Sequence, residues 1–466
     1  MKIYNSLTNK KEEFETIKPK TVNMYTCGVT VYDESHVGHA RSLYVFDVMR
    51  RYLEYRGYKV NFVRNITDID DKIINRAKEL KVDWKELVSK YIESYNKDLG
   101  LLNIRKGILD KDKEEPRATK TIADIIEYIK VLIDKGYAYK AGGDVYFNVK
   151  KFSGYGKLSG QNIDQMREGV RIEPDEKKQD ALDFALWKTS KEGEPSWDSP
   201  WGGGRPGWHI ECSVMSQKFL KTDTLDIHAG GRDLIFPHHE NEIAQAEART
   251  GKPFAKYWIH HGLLTINGQK MAKSLGNFIT IKAALKKYDA ETIKFFMISS
   301  HYSQPIDFSD ERMNEAKAAL ERFYILFDKV NRLEPTPHHS LRSGAGQAAQ
   351  IDALKEKFIE AMDDDFNTPQ ALACLFDMLR EANKSSDENM LYAATLIKEL
   401  GGIFGLFLRG KQIDAQLETY VESKISERNK ARNSKDFKKA DLIRQELKAK
   451  GIAIEDTKEG TVWRPA

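Results

Sequence analysis

The sequence predicts an α/β chain with a parallel sheet domain assembled from two separated stretches, then an all-helical region and a small carboxyl-terminal module. Three observations predict it. Strand, loop, helix and strand follow one another over residues 21–65, the βαβ order that sets strands parallel and leaves a ligand crevice at their carboxyl ends. A strand-and-helix pattern resumes at 208–265 after a long stretch of different character. Beyond about residue 312 apolar residues step by three and four without any strand signal.

TVNMYTCGV is a short apolar run ending in Cys27-Gly28, read as the first strand. In ARSLYVFDVMRRYLEYRG, Val45, Val48, Met49 and Tyr52 share one helical face, and Gly57 closes the helix. KVNFVRN follows as the next strand. From about 115 to 200 helical segments mix with the strand GDVYFNV and end in EGEPSWDSPWGGGRPG, which reads as an insertion followed by a binding loop. The sheet resumes with TLDIH, then the glycine-rich HAGGRD, then a helix PHHENEIAQAEART with Pro237 near its start and Gly251 after its end.

In the helical region Met313, Ala316, Leu320, Phe323, Phe327 and Val330 trace one face. Residues 334–350 read as a linker. A helix starting near Thr368-Pro369 points Leu372, Leu375 and Leu379 inward, with Cys374 as core filling. SKISERNKARNSKDFKKADLIRQELKAK (423–450) is rich in lysine and arginine and precedes a strand-like tail. Such a run is either a solvated helix face or a nucleic-acid contact.

The 466 residues exceed one ordinary domain, so several modules are expected. Lysine plus arginine (74) nearly balance aspartate plus glutamate (70), which neither demands nor excludes a polyanionic partner. The amino terminus lacks the apolar core of a signal peptide and no long apolar run follows, so a cytoplasmic location without membrane contact is expected. Cys27, Cys212 and Cys374 are too few and too dispersed for a disulfide framework and read as core fillers or metal ligands.

Two segments carry phosphate-type chemistry. HVGH (36–39) lies between strand and helix, where backbone N–H groups and the helix dipole favour an anion and His36 and His39 add donors. KMAKS, within TINGQKMAKSLGN (265–277), places Lys270 and Lys273 after an Asn-Gly turn, as suits charge that develops only in a transition state. A third segment, FPHHENE (236–242), crowds two imidazoles and two carboxylates. On a helix His238 and Glu242 share a face at i, i+4, while His239 and Glu242 form the competing i, i+3 pair.

In this order around a βαβ crevice, HVGH and KMAKS resemble the HIGH and KMSKS signatures of class I aminoacyl-tRNA synthetases. Longer blocks, CGVTVYDESHVGHAR, NITDIDDKI, GEPSWDSPWGGGRPGWHIECS, HAGGRDLIFPHHENEIAQ and EAMDDDFNTP, look like the pattern of the cysteinyl-tRNA synthetase family from residue 3 to the tail. Valine replaces the isoleucine of HIGH, and Ala272 replaces a serine of KMSKS, which deletes a hydroxyl that could order the loop. The resemblance implies a Rossmann-like catalytic domain (1–115 and 201–264) interrupted by an insertion (116–200). It continues with a KMSKS-type loop and stem-contact region (265–311), a tRNA-binding helical bundle (312–410) and an anticodon-binding module (411–466).

It further implies one zinc ion held by Cys27, Cys212, His238 and Glu242. Zinc would bind the thiolate of L-cysteine and refuse serine without an editing domain. Cysteine would be activated with ATP and Mg2+ at His36, Gly38, His39, Lys270 and Lys273, then passed to the 3′ end of tRNA(Cys). Thr67, Trp208 and His228 are expected at the substrate pocket, His209 and His228 as supporting or proton-shuttling groups, and His239 and Glu240 as capping or supporting groups. A monomer is expected, and the 423–450 run becomes a phosphate-contacting element.

Three rivals predict different features. A ligase passing cysteine to a sugar amine would lack the anticodon-binding tail, which this chain keeps. A zinc hydrolase has no use for HVGH or KMAKS, and a non-catalytic RNA-binding module would tolerate loss of the signature lysines.

Overall fold

The strand–loop–helix–strand order opens the sheet domain as β1 (Thr21–Thr30), α1 (Val37–Tyr55) and β2 (Lys59–Thr67). The structure is a computed structural model that describes residues 1–109, 114–161, 178–271, 276–333, 345–408, 415–434, 436–450, 452–457 and 460–465, without some of their side chains, that of Lys270 among them. Val45, Val48, Met49 and Tyr52 of α1 are all buried, as their spacing requires. Arg56 caps its carboxyl end and Gly57 leaves it with φ +80°.

The second stretch supplies α2 (Trp208–Leu220), β3 (Leu225–Gly231), α3 (Glu240–Thr250) and β4 (Ala255–His261). The four strands form one parallel sheet in the order β4–β3–β1–β2, with Tyr25 facing His228 across β1 and β3. Both parts of the sequence therefore build one sheet, as expected. Helix α2 has no clear signal in the sequence because it is covered on most sides, with every residue from Ile210 to Gln217 buried, and so shows no amphipathic stripe.

Two expectations need correction. Cys27 does not end β1: the strand continues to Thr30 through a register shift between Thr26 and Val29. The HHENE helix does not run regularly from Pro237. Residues Ile235–His239 form a wide turn with Phe236 extended (φ −135°, ψ 133°), and regular α-helix begins at Glu240.

Between the two stretches, helix Ile122–Asp134 packs beside a four-stranded antiparallel sheet of Ala138–Ala141, Asp144–Phe147, Phe184–Thr189 and Gly204–Pro206. After the sheet domain, Asn267 and Gly268 both take positive φ between Leu264–Ile266 and Gln269–Lys270, so the Asn-Gly turn is present. Helices Asp310–Val330, Ala345–Asp363, Thr368–Ala382 and Asp387–Ile403 follow. The predicted inward residues are buried, including Cys374 within the core. The second of these helices starts inside the stretch read as linker, whose residues 334–344 lie outside the described residues.

The chain divides into two compact units, Met1–Phe407 and Leu408–Ala466. In the second, the basic stretch forms two helices, Ala415–Asn433 and Phe437–Ala449, and the tail is a hairpin of Ile452–Thr457 with Gly460–Pro465. Val421, Ile425, Ile443, Leu447, Ile452 and Ile454 form its core.

Candidate active site and metal cluster

His36 is the N-cap of α1, and the two signature imidazoles form a reciprocal capping box. His39 N–H donates to His36 Nδ1 and His36 N–H donates to His39 Nδ1, each at 3.3 Å. With Nδ1 accepting on both rings, the neutral tautomer carries its proton on Nε2, which makes each Nε2–H a donor. The rings stack at 3.6 Å, and burial, then the neighbouring His36, hold His39 well below the ordinary imidazole range.

The chain beyond KMAKS returns to this helix start. Val37 N–H donates to Ile279 O (3.0 Å) and Ile281 N–H to Ser35 O (2.9 Å). A Cβ on Gly38 would lie 3.0 Å from the His36 ring and 3.3 Å from Met271 Cε, so glycine admits the signature methionine. Lys270 pairs through its backbone with Thr265; its side chain, with Ala272 and Lys273, lies outside the described residues.

A second cluster draws on Cys27 of β1, Cys212 of α2, His228 of β3, His238 and His239 of the turn before α3, and Glu242 of α3. Ligand atoms of Cys27, Cys212, His238 and Glu242 all lie within 4.8 Å of one another, and all four residues are buried. His238 Nε2 is 3.0 Å from Glu242 Oε1, the i, i+4 pair anticipated from helical geometry. The ligand atoms of Cys27, His228, His239 and Glu242 meet the same 4.8 Å limit, so the i, i+3 pair also converges.

The surroundings orient these groups. His209 Nδ1 lies 2.9 Å from His238 Nδ1, which turns Nε2 toward the cluster, and Trp208, 37 % exposed, stacks on His238 at 4.1 Å. His228 is fully buried, with Nε2 2.8 Å from Glu242 Oε2 and its ring against Trp258. Thr67 is buried and donates to Glu211 (3.0 Å) rather than facing the cluster.

Electrostatics favour a cation here. The hydrogen bond from Cys27 pulls the Cys212 thiol down to about 6 against its burial, whereas burial pushes Cys27 up. Burial alone would raise Glu242, yet His228 and His238 hold it at about 2; burial alone would lower His238, yet Glu242 lifts it to about 10. Two sulfurs, an imidazole and a carboxylate with these preferences fit a borderline-soft dication.

Residues 13–318 match the family described as the class I tRNA synthetase (C) catalytic domain, and 357–409 match the DALR domain. Residues 416–464 match the cysteinyl-tRNA ligase anticodon-binding domain. The chain belongs to the cysteinyl-tRNA synthetase family. Such a synthetase joins cysteine to tRNA at the expense of ATP.

The fold is shared with other synthetases. A Mycobacterium tuberculosis methionyl-tRNA synthetase in complex with methionyl-adenylate has TM-score 0.58 at 17% identity, covering 82% of this chain and 89% of that chain. A ternary LeuRS–tRNA–LeuAMS complex of Agrobacterium radiobacter K84 has TM-score 0.59 at 10% identity, covering 84% and 85%.

Several groups around the synthetase's cluster escaped the sequence reading. His260 Nε2 lies 2.8 Å from His239 Nδ1; the only sequence signal was a His-His pair at the end of β4. Asn65 Oδ1 accepts from Gly28 N–H (2.8 Å) and sits 3.7 Å from Cys212 Sγ. Glu240 neither caps its helix nor touches the cluster: its carboxylate accepts backbone N–H groups of Gly156, Leu158 and Ser159 at 2.9, 3.1 and 2.8 Å.

Proposed function

We propose that this synthetase selects L-cysteine through zinc held by Cys27, Cys212, His238 and Glu242, and charges tRNA(Cys) at its 3′ end. The observation that carries this reading is the convergence of those four buried donors. When bound there, zinc supplies a soft Lewis acid that takes a thiolate far more readily than a neutral hydroxyl.

The chain's own residues do the rest. His209 keeps His238 turned inward, and His228 fixes Glu242 from the opposite side. Trp208 borders the cysteine pocket, with His228 and Thr67 behind it; Thr67 acts through Glu211. As the cysteine carboxylate attacks the α-phosphorus of ATP, negative charge grows on the phosphate oxygens. The Nε2–H donors of His36 and His39 and the amides around Gly38 at the α1 amino terminus meet that charge, with Lys270 and Lys273 opposite. Mg2+ would enter bound to ATP and offset charge on its phosphates.

The domain division proposed is 1–115 with 201–264 for catalysis and 116–200 for the insertion. The signature loop and stem contact take 265–311, the tRNA-binding bundle 312–410 and the anticodon-binding module 411–466. Within 423–450, Lys424, Arg428, Arg432 and Lys439 each have a carboxylate partner in the same unit, so exposed Lys430, Lys438, Arg444 and Lys448 are the better phosphate contacts. No helix among the described residues is long and apolar enough to cross a membrane.

The test is cysteine-dependent exchange of pyrophosphate into ATP without tRNA. Exchange should vanish on metal removal and return with zinc. Undiminished exchange in metal-free protein would sink the zinc reading while leaving the family assignment intact.

A further inference from the structure

We propose that Glu34 and Lys282 are positioning residues for adenylate formation, their ion pair fastening the segment after KMAKS to the amino end of α1 and so fixing where His36 and His39 present their donors. The proposal rests on the reading above that those imidazoles meet the phosphate charge.

Two segments meet in antiparallel register at this helix start. His36 bridges Thr280, and the Val37–Ile279 and Ser35–Ile281 hydrogen bonds flank that bridge. In the same register Glu34 stands opposite Lys282, two residues before His36. Lys282 Nζ donates to Glu34 Oε1 at 3.0 Å and lies 2.8 Å from Oε2. Thr280 caps the helix Ile281–Lys287 by accepting from Ala283 N–H (3.1 Å), which sets the lysine in its first turn.

A third element braces the pair. In helix Trp84–Leu101, Ser94 donates to Glu34 Oε2 (2.5 Å), and Asp98, one turn further on and buried, adds a carboxyl that feels the pull of Lys282. Burial alone would raise the Glu34 carboxyl, yet the Lys282 and Ser94 hydrogen bonds hold it below its ordinary value. Glu34 is therefore an anionic joint between the loop before α1, the Trp84–Leu101 helix and the chain that returns from KMAKS.

A short two-segment ladder is a weak junction in water, and a charged pair across it pins the register. Charge grows on the phosphate oxygens only as the new bond forms, so a small displacement of the imidazoles weakens the transition state more than the bound ground state. The loss then falls on kcat, and the KM for cysteine, set at the Cys/His/Glu cluster, stays in place.

Pyrophosphate exchange by the zinc-loaded full-length protein tests this. Glu34→Gln and Lys282→Met should each lower kcat by roughly tenfold or more and leave the KM for cysteine within about twofold. Lys282→Arg, which keeps the charge, should stay within about threefold of wild type. The double variant Glu34→Gln/Lys282→Met should be no worse than either single one, because the two groups act as a pair. The Glu34 and Lys282 side chains are 28 % and 40 % exposed, so the variants should fold, which thermal midpoints check. Single variants within about twofold of wild type, losses that multiply in the double variant, or a cysteine KM that rises as kcat falls would overturn the proposal. His39→Ala protein with full activity would overturn the phosphate reading of HVGH and this proposal with it. Loss in His39→Ala without loss in Glu34→Gln or Lys282→Met would overturn the proposal alone.

Discussion

Glu240 and Glu242 stand on one helix turn, both without solvent contact, and the backbone sends them to different partners. Glu242 meets imidazoles and sulfur; Glu240 anchors the backbone of residues 156–159. Both spacings read from the sequence, i, i+4 with His238 and i, i+3 with His239, include Glu242, and the resemblance chose between them. The role of Glu240 needed a loop some eighty residues away, which local spacing does not reveal. Asp98 shows the converse: a carboxylate 1 % exposed with no hydrogen-bond partner for either oxygen among the described residues. Burial pushes it up to about 6 against the pull of Lys282. A raised carboxyl pKa means that the folded state holds the proton more tightly, so this group's contribution to stability erodes as pH rises from about 4 to about 6. Asp98→Asn should therefore be more stable than wild type by ~1–2 kcal/mol near pH 8, with the gap closing toward pH 4, in urea unfolding. An equal gap at both pH values would contradict the assignment.

At the scale of elements, the strand and helix periods gave β1, α1 and β2 and the helical region, because each has one dry face or a short apolar run. The misses share a cause: tertiary contacts decided them. Cys27-Gly28 reads as a strand end, yet the strand passes through because a Cβ on Gly28 would fall 1.6 Å from Asn65 O, so only glycine lets β1 and β2 close up there. Gly28→Ala should cost ~3 kcal/mol or more and displace Cys27, lowering the thermal midpoint and the bound metal together. A variant with wild-type stability and metal content would refute the close approach. The basic stretch breaks where Asp436 accepts from Lys439 N–H and starts a new helix, a capping signal hidden among charges. In EAMDDDFNTP the consecutive Asp365 and Phe366 both take positive φ. Asp365 accepts from Tyr4 N–H (2.8 Å) and the Tyr302 hydroxyl (2.7 Å), while its own N–H reaches Lys2 O, so one acidic turn ties the amino terminus to the segment after the sheet.

For the molecule as a whole, the division at Phe407 and Leu408 separates the unit holding the buried Cys/His/Glu cluster and HVGH from the unit matching the anticodon-binding domain. Binding energy from remote tRNA contacts serves transfer and not amino-acid activation. Ending the chain at Phe407 should leave pyrophosphate exchange within about threefold and lower aminoacylation by roughly 10²-fold or more; equal losses in both assays would argue against a tRNA role for the second unit.

The central claim is that soft-metal coordination chooses the amino acid. It is tested most directly by the ratio of kcat/KM for cysteine and serine in pyrophosphate exchange by the zinc-loaded protein. An ordinary pocket separates such close analogues by only ~10²-fold. The account predicts a ratio orders of magnitude above that, and a ratio at or below it would contradict the account.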